Sequence, residues 1–271
     1  MTETPSWVTP DVDTERPSIA RLYDYLLGGT HHLEVDRRLG REAIKAAPGL
    51  VLLIRENRKF LRRAVRYALE QGVDQFLDIG SGIPTRGSIH ETARKAGSDA
   101  RVVYVDVDPV AVSHGRAILA DDPRTTILRA DFFQPDDILG NAEVVELIDF
   151  TRPVALLVLN MIHFFPDAKV RPALARYRDT LAPESLLMLS VATDDTTEAG
   201  AIDTLYQKEY TEFTLRSRAE ITALFDGFEF VEPGVVYPPQ WRPTDPDRVT
   251  RSPERYSSLV GVGRVPREPV P

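Results

Sequence analysis

A chain of 271 residues, 42% of them hydrophobic, has the material for one α/β domain with additions and a sizeable buried core. The absence of cysteine excludes disulfides, thiolate catalysis and cysteine-held zinc or iron–sulfur centres, and five histidines leave little from which to build a metal site. A formal net charge of -8 repels phosphate backbones, which argues against nucleic acid as a partner, and without a signal peptide or an apolar run near a membrane span the expectation is a cytoplasmic protein.

Residues 1–17 carry Pro5, Pro10 and Pro17 among polar residues and read as an extended arm. Ser18 offers an N-cap to a first helix ending at Leu27, with Ile19, Leu22, Tyr23, Leu26 and Leu27 on one stripe and Gly28-Gly29 as the stop. A second helix is expected over Glu34 to Ala47, punctuated by Pro48-Gly49, and a third over Leu50 to Gln71. Asn57 falls on the apolar stripe of that third helix, where a buried amide needs a partner. Between Glu34 and Glu70 there are ten Lys/Arg against five Asp/Glu, so this N-terminal cap, residues 1–71, is electrostatically unlike the remainder, 72–271. Beyond residue 72, apolar strands near 74–79, 101–106, 125–130, 153–159 and 185–191 alternate with helical patterns, the mark of a parallel sheet covered on both faces. Phe228 to Val231 and Ser257 to Val262 are two further strand candidates, separated by a Pro-rich excursion from Pro233 to Pro253.

The strongest functional signal is Gln75-Phe76-Leu77-Asp78-Ile79-Gly80-Ser81-Gly82, a strand running into an Asp-x-Gly-x-Gly turn. Glycines there let backbone approach a nucleotide-like ligand closely. A dinucleotide fingerprint wants a third glycine where Thr85 stands, so an NAD-dependent oxidoreductase is the weaker reading and S-adenosylmethionine (SAM) the stronger. Asp78 then accepts from the ligand's amino group. Asp106, at the tip of the second strand with Val107 after it, takes the ribose hydroxyls, while Asp108 before Pro109 reads as a helix N-cap. Asp131 ends the third strand, placed to accept from an adenine amine with Phe132 near the ring. His163, after the fourth strand, is the candidate general base, its ordinary pKa near 6.5 suiting that work; a positioning role is the alternative. Tyr23, Gly28 and Gly29 form a glycine-hinged segment that could act as a lid.

Assembled, these phrases resemble the class I SAM-dependent methyltransferases. The chain is more narrowly similar to a bacterial SAM-methyltransferase family once classed as a domain of unknown function. Ser18-Ile19-Ala20-Arg21-Leu22-Tyr23-Asp24-Tyr25-Leu26-Leu27-Gly28-Gly29 and Glu56-Asn57-Arg58-Lys59-Phe60-Leu61 carry the closer match, together with the turn from Asp78 to Gly82 and Tyr104-Val105-Asp106-Val107-Asp108-Pro109. The resemblance implies a Rossmann-like seven-stranded α/β sheet, mostly parallel with its last strand antiparallel. It also implies Gly80, Ser81 and Gly82 along the SAM tail, Asp106 at the ribose, and Asp131 with Phe132 at the adenine. Asn160, Met161 and His163 would lie near the methionine moiety, and Tyr23, Gly28, Gly29, Asn57 and Arg58 would close over the cofactor. The reaction implied moves a methyl group to a small-molecule acceptor and leaves S-adenosylhomocysteine (SAH). A SAM-binding regulatory protein without turnover is the alternative from another class.

Overall fold

Ser18 opens the first helix as its sequence position predicts, its hydroxyl accepting from the Arg21 amide at 3.3 Å. In the computed structural model, which describes residues 12–84, 87–196, 200, 203–204, 213–250 and 252–267, helix α1 spans Ile19–Leu26, α2 Glu34–Ala46 and α3 Leu50–Glu70. Thr85, the residue that argued against a dinucleotide site, lies outside the described residues, as does the arm before Val12. Buried Asp36 knits the cap together: it accepts from the Ser18 amide at 2.9 Å, the Leu33 amide at 2.7 Å and Arg21 Nε at 2.8 Å.

The long helix α3 serves two cores. Its first turns, with Leu50, Leu53 and Ile54, pack against Leu22 and Leu26 of α1 and against Phe164, Phe213 and Tyr256. Its later turns, with Phe60, Leu61, Ala64, Val65 and Ala68, pack on the sheet residues Phe76, Leu157 and Val260. One rigid rod, about 1.5 Å per residue in rise, thereby ties the cap to the sheet.

Strands β1 (Gln75–Ile79), β2 (Arg101–Asp106), β3 (Thr125–Arg129), β4 (Ala155–Leu159) and β5 (Leu186–Ala192) alternate with α4 (Ile89–Lys95), α5 (Pro109–Leu119), α6 (Pro135–Leu139), α7 (Ala142–Leu147) and α8 (Asp167–Arg178). Helix α9 (Arg218–Ala223), strand β6 (Glu229–Phe230) and strand β7 (Ser258–Arg264) follow. The strand order β3-β2-β1-β4-β5-β7-β6 makes one seven-stranded sheet, parallel from β3 to β5, with β7 antiparallel between β5 and β6. This is the expected architecture. The order reverses between β1 and β4, paired in parallel with Phe76 opposite Ala155, and a ligand crevice belongs beyond the carboxyl ends of such a pair.

Two expectations change in detail. Strand β6 is two exposed residues long and so is shorter than predicted, whereas β7 runs on to Arg264. Glycines make that extension possible: a Cβ at Gly263 would stand 2.8 Å from both Phe225 and Phe228, so bare backbone lets these rings lie on the strand. The Pro-rich excursion is not a free loop. Trp241 within it is fully buried, its ring edge-on to Phe60 at 5.3 Å, and Arg63 of α3 donates to the Trp241 carbonyl at 2.8 Å and to the Pro238 carbonyl at 2.5 Å. Among the described residues no helix is long and apolar enough to cross a membrane.

Candidate functional site

At the end of β1 the chain turns through Gly80 and Gly82, whose φ angles of +71° and +62° are open to glycine and strained for other residues. The Gly80 and Ser81 amides donate to the Val105 carbonyl at 2.8 and 3.1 Å, stitching the turn to β2. The space around the two glycines differs. A Cβ at Gly80 would meet Met161 Cγ at 2.8 Å, whereas one at Gly82 would meet nothing within 4 Å, so the second glycine borders open volume. That volume is a cavity of about 330 Å³ at the β1/β4 crevice.

Most of the predicted residues come together around it. Asp78, Gly80, Ser81, Gly82, Asp106, Val107, Asp131, Phe132, Asn160 and Met161 line it from the sheet side, and Tyr23, Asn57 and Arg58 from the cap. The sequence reading missed Ser18, Ile19, Ala20, Leu61, Asp108 and Phe165, which also line it. Ile19 could have been found, since it sits one turn before Tyr23 on the same helix face. Ser18 could not, because its second role is long-range: its hydroxyl donates to the Asp108 carboxylate, tying the start of α1 to the sheet edge. Asp108 otherwise caps α5 as predicted, accepting from the Val110 amide at 2.7 Å.

Asp106 is buried and holds the turn. One carboxylate oxygen accepts from the Gly82 amide at 2.7 Å and the other from the Asp108 amide at 2.9 Å. Burial pushes its pKa up to about 6, against the lowering effect of those amides. Asp78 is raised further, to about 7, chiefly by burial, with the Arg58 charge pulling down and the Asp106 charge pushing up. The floor of the cavity is thus two buried carboxylates, and the one free to respond to a cation is Asp78.

On the cap side, Asn57 Nδ2 donates to the Tyr23 hydroxyl at 3.3 Å, and the Arg58 guanidinium lies 5.5 Å from the Tyr23 ring centroid. Among the described residues Asn57 Oδ1 and Arg58 Nε are buried without a hydrogen-bond partner. Asn160 adopts φ +53°, a left-handed conformation Asn tolerates better than most residues, and its amide donates to the Ser190 carbonyl at 3.0 Å. The Ser190 hydroxyl in turn donates to Asn160 Oδ1 at 3.1 Å, which fixes the carboxamide. Phe132 lines the cavity and its ring also stacks on Tyr177, centroids 5.5 Å apart, so it is core as well as cavity wall. Asp131 is exposed and its Oδ1 accepts from the Phe133 amide at 2.9 Å.

Three predicted residues stand outside this cavity. Gly28 and Gly29 end α1 around buried Asp24; a Cβ on Gly29 would fall 2.0 Å from Asp24 Oδ1, and Asp24 Oδ2 accepts from the His31 amide at 2.7 Å. These two glycines serve this tight turn and do not line the cavity. His163 does not line this cavity either. It is buried beside a smaller cavity, and burial together with the nearby Arg216 charge pushes its pKa down to about 3. A group so weakly basic is a poor match for general-base work at neutral pH. The Ala192 amide donates to its Nδ1 at 3.4 Å, which places the proton of the neutral ring on Nε2. Among the described residues no cluster of His, Asp or Glu has the makings of a metal site.

The chain matches the S-adenosyl methyltransferase family over residues 5–266. Among solved structures it is similar to a candidate methyltransferase from Thermobifida fusca, 41% identical, with a TM-score of 0.91 over 97% of this chain and 100% of that one. It is also similar to a DUF574 family protein from Streptomyces avermitilis, 36% identical, with a TM-score of 0.88 over 94% of this chain and 99% of that one. An N-methyltransferase, NodS from Bradyrhizobium japonicum in complex with S-adenosyl-l-homocysteine, shares the fold at 17% identity, TM-score 0.51, over 85% of this chain and 98% of that one. No curated protein matches the chain in sequence.

Proposed function

We infer that this chain, which belongs to the S-adenosyl methyltransferase family, holds SAM in the cavity above the β1/β4 crevice and methylates a small-molecule acceptor there. The family match answers the choice of cofactor that the glycine turn leaves open. One observation carries the placement: a single cavity is bordered at once by the bare backbone of Gly82 and by the buried carboxylates Asp78 and Asp106. Its size fits. A cavity of about 330 Å³ lies within the roughly 300–1,000 Å³ typical of small-molecule and cofactor sites.

When bound, SAM supplies a methyl group on a sulfonium sulfur, electrophilic enough that an acceptor's lone pair can displace the neutral thioether SAH. The chain's residues bind and orient. Asp78 receives the ammonium, Gly80 to Gly82 run beside the tail, Asp106 and Val107 meet the ribose, and Asp131 and Phe132 border the adenine. Asn160 and Met161 flank the methionine portion, while Tyr23, Asn57 and Arg58 cover the cofactor from the cap and exclude water. Orientation of acceptor and donor in line accounts for most of the rate, and no charged base is required of the protein. The binding test is calorimetry with SAM and with SAH: micromolar or tighter binding of both supports the reading, and NAD binding in their place overturns it.

Asn57 offers a finer test. Loss of its side chain, in Asn57→Ala, removes the hydrogen bond to Tyr23 on the cap side of the cavity. SAM affinity measured by calorimetry should fall about 2- to 12-fold, the worth of one ordinary hydrogen bond.

The pH dependence of binding follows from Asp78. With its pKa at about 7, this carboxyl is protonated below neutrality and must lose its proton before pairing with the ligand's ammonium. Each pH unit below 7 should therefore weaken SAM binding up to about tenfold, as one pKa unit is worth about 1.36 kcal/mol. Above about pH 8 the ligand's own α-amino group deprotonates, so affinity should peak between about pH 7 and 8. Calorimetry in two buffers of different ionisation enthalpy should register proton release on binding at pH 6.5.

A further inference from the structure

Next to the main cavity lies a smaller one of about 60 Å³, bounded by α1, the first turns of α3, the 160–164 segment and the end of β5. The two share Ile19, Tyr23 and Asn160 as lining residues, so they adjoin at this corner. Their chemistry differs sharply. The main cavity carries Asp78, Asp106, Asp108, Asp131 and Arg58; the side cavity has no charged residue among its described lining residues.

Its polar groups are few and mostly engaged. The Ser258 hydroxyl donates to the Val191 carbonyl at 3.0 Å, and the Ser257 hydroxyl is 2.9 Å from that of Thr196. Nearby Arg216 does not make the space anion-seeking, because it is buried outside the lining, paired with Asp167 at 2.6 Å and donating to the Phe165 carbonyl at 2.8 Å. What remains is the O–H donor of Tyr23 and the side-chain NH2 of Asn160 at the junction, and the neutral His163 ring with its proton on Nε2. The remaining wall is aliphatic and aromatic. A charged group entering it would lose its hydration with no counter-ion to meet, whereas an apolar group gains by leaving water.

We propose that the side cavity receives a compact, uncharged, apolar group of the methyl acceptor, leaving the acceptor's nucleophilic atom at the Tyr23–Asn160 junction. This rests on the SAM reading of the main cavity, since adjacency to that cavity at Ile19, Tyr23 and Asn160 is what makes the occupant the acceptor. At about 60 Å³ against about 330 Å³ for the main cavity, the side cavity admits only a small group such as a branched aliphatic end.

The test uses isobutanol, isobutyrate and isobutylammonium as probes, followed by saturation-transfer NMR on the full chain saturated with SAH. Isobutanol should bind, and its two charged analogues about 100-fold more weakly or not at all. Ala192 lines the side cavity and not the main one, so Ala192→Leu should abolish isobutanol binding while SAH affinity by calorimetry changes less than about twofold. Leu53→Ala, which enlarges the same space, should add binding of cyclohexanol, and it decides the matter if Ala192→Leu does not fold. Equal binding of isobutyrate or isobutylammonium overturns the proposal. So does isobutanol binding that survives Ala192→Leu, or an enlarged cavity that still refuses cyclohexanol. Failure of SAH to bind the unaltered chain is a different result and overturns the cofactor reading itself.

Discussion

Asp36→Ala should destabilise the protein by about 3–5 kcal/mol, the range seen when one partner of a buried ion pair is removed. Asp36 is completely buried and Arg21 nearly so, so deletion leaves the Arg21 charge without its carboxylate in a place water does not reach. It also orphans the Ser18 and Leu33 amides, which begin α1 and α2. For a chain of this size the melting temperature should drop by roughly 6 to 20 °C. Chemical denaturation reads a second quantity. We propose that residues 1–71 act as a cap on a unit made by residues 72–271, yet α3 packs in both hydrophobic cores. If that shared helix makes the two cooperative, Asp36→Ala shifts a single transition; an early separate step, with Trp241 still buried by fluorescence, would mean the cap unfolds alone. Asp36→Asn keeps a single acceptor oxygen and should recover only one of the two amide bonds, since the Ser18 and Leu33 amides donate to different carboxylate oxygens.

The contrast between what the chain advertises and what it conceals follows the range of the forces involved. Ser18, Gly28-Gly29 and Pro48-Gly49 mark helix ends through local backbone chemistry, and the observed boundaries of α1 to α3 fall within a residue of those signals. The β1 turn was legible for the same reason, as two glycines with positive φ follow directly on a buried strand. Asn57 was legible as an anomaly, a polar residue on an apolar stripe, and the structure places it on the cavity. Side-chain pairings across long stretches leave no such mark. Ser18 meets Asp108 ninety positions away, Arg63 meets Trp241 still farther on, and neither partner has an unusual residue type for its local role. His163 shows a third limit. It lies in the loop where the reading put it, but its surroundings, contributed by Phe213, Ala192 and Arg216, decide which cavity it borders and whether it can titrate.

Asp106→Asn tests the site where structure and chemistry are hardest to separate. The carboxylate spends one oxygen on the Gly82 amide and one on the Asp108 amide, so in the protein alone it is the clasp that fixes the glycine turn against the β2 tip. Each oxygen has a second lone pair, and these are what remain for the ribose hydroxyls. Asparagine keeps one acceptor oxygen and turns an NH2 towards a backbone amide, so one of the two clasps is lost and replaced by a donor–donor contact. Charge-assisted hydrogen bonds are worth about 1.5–3 kcal/mol, which predicts SAM and SAH affinities roughly 10- to 150-fold weaker by calorimetry. The split between the two roles can be measured. Because burial holds Asp106 at a raised pKa of about 6, its ionised form is disfavoured by folding, and removing the charge relieves that cost in the empty protein. The variant should therefore lose cofactor affinity with little loss of thermal stability near pH 7, where the unaltered carboxylate is largely ionised. A large drop in melting temperature with unchanged affinity would instead assign Asp106 to the turn alone and remove it from the ribose.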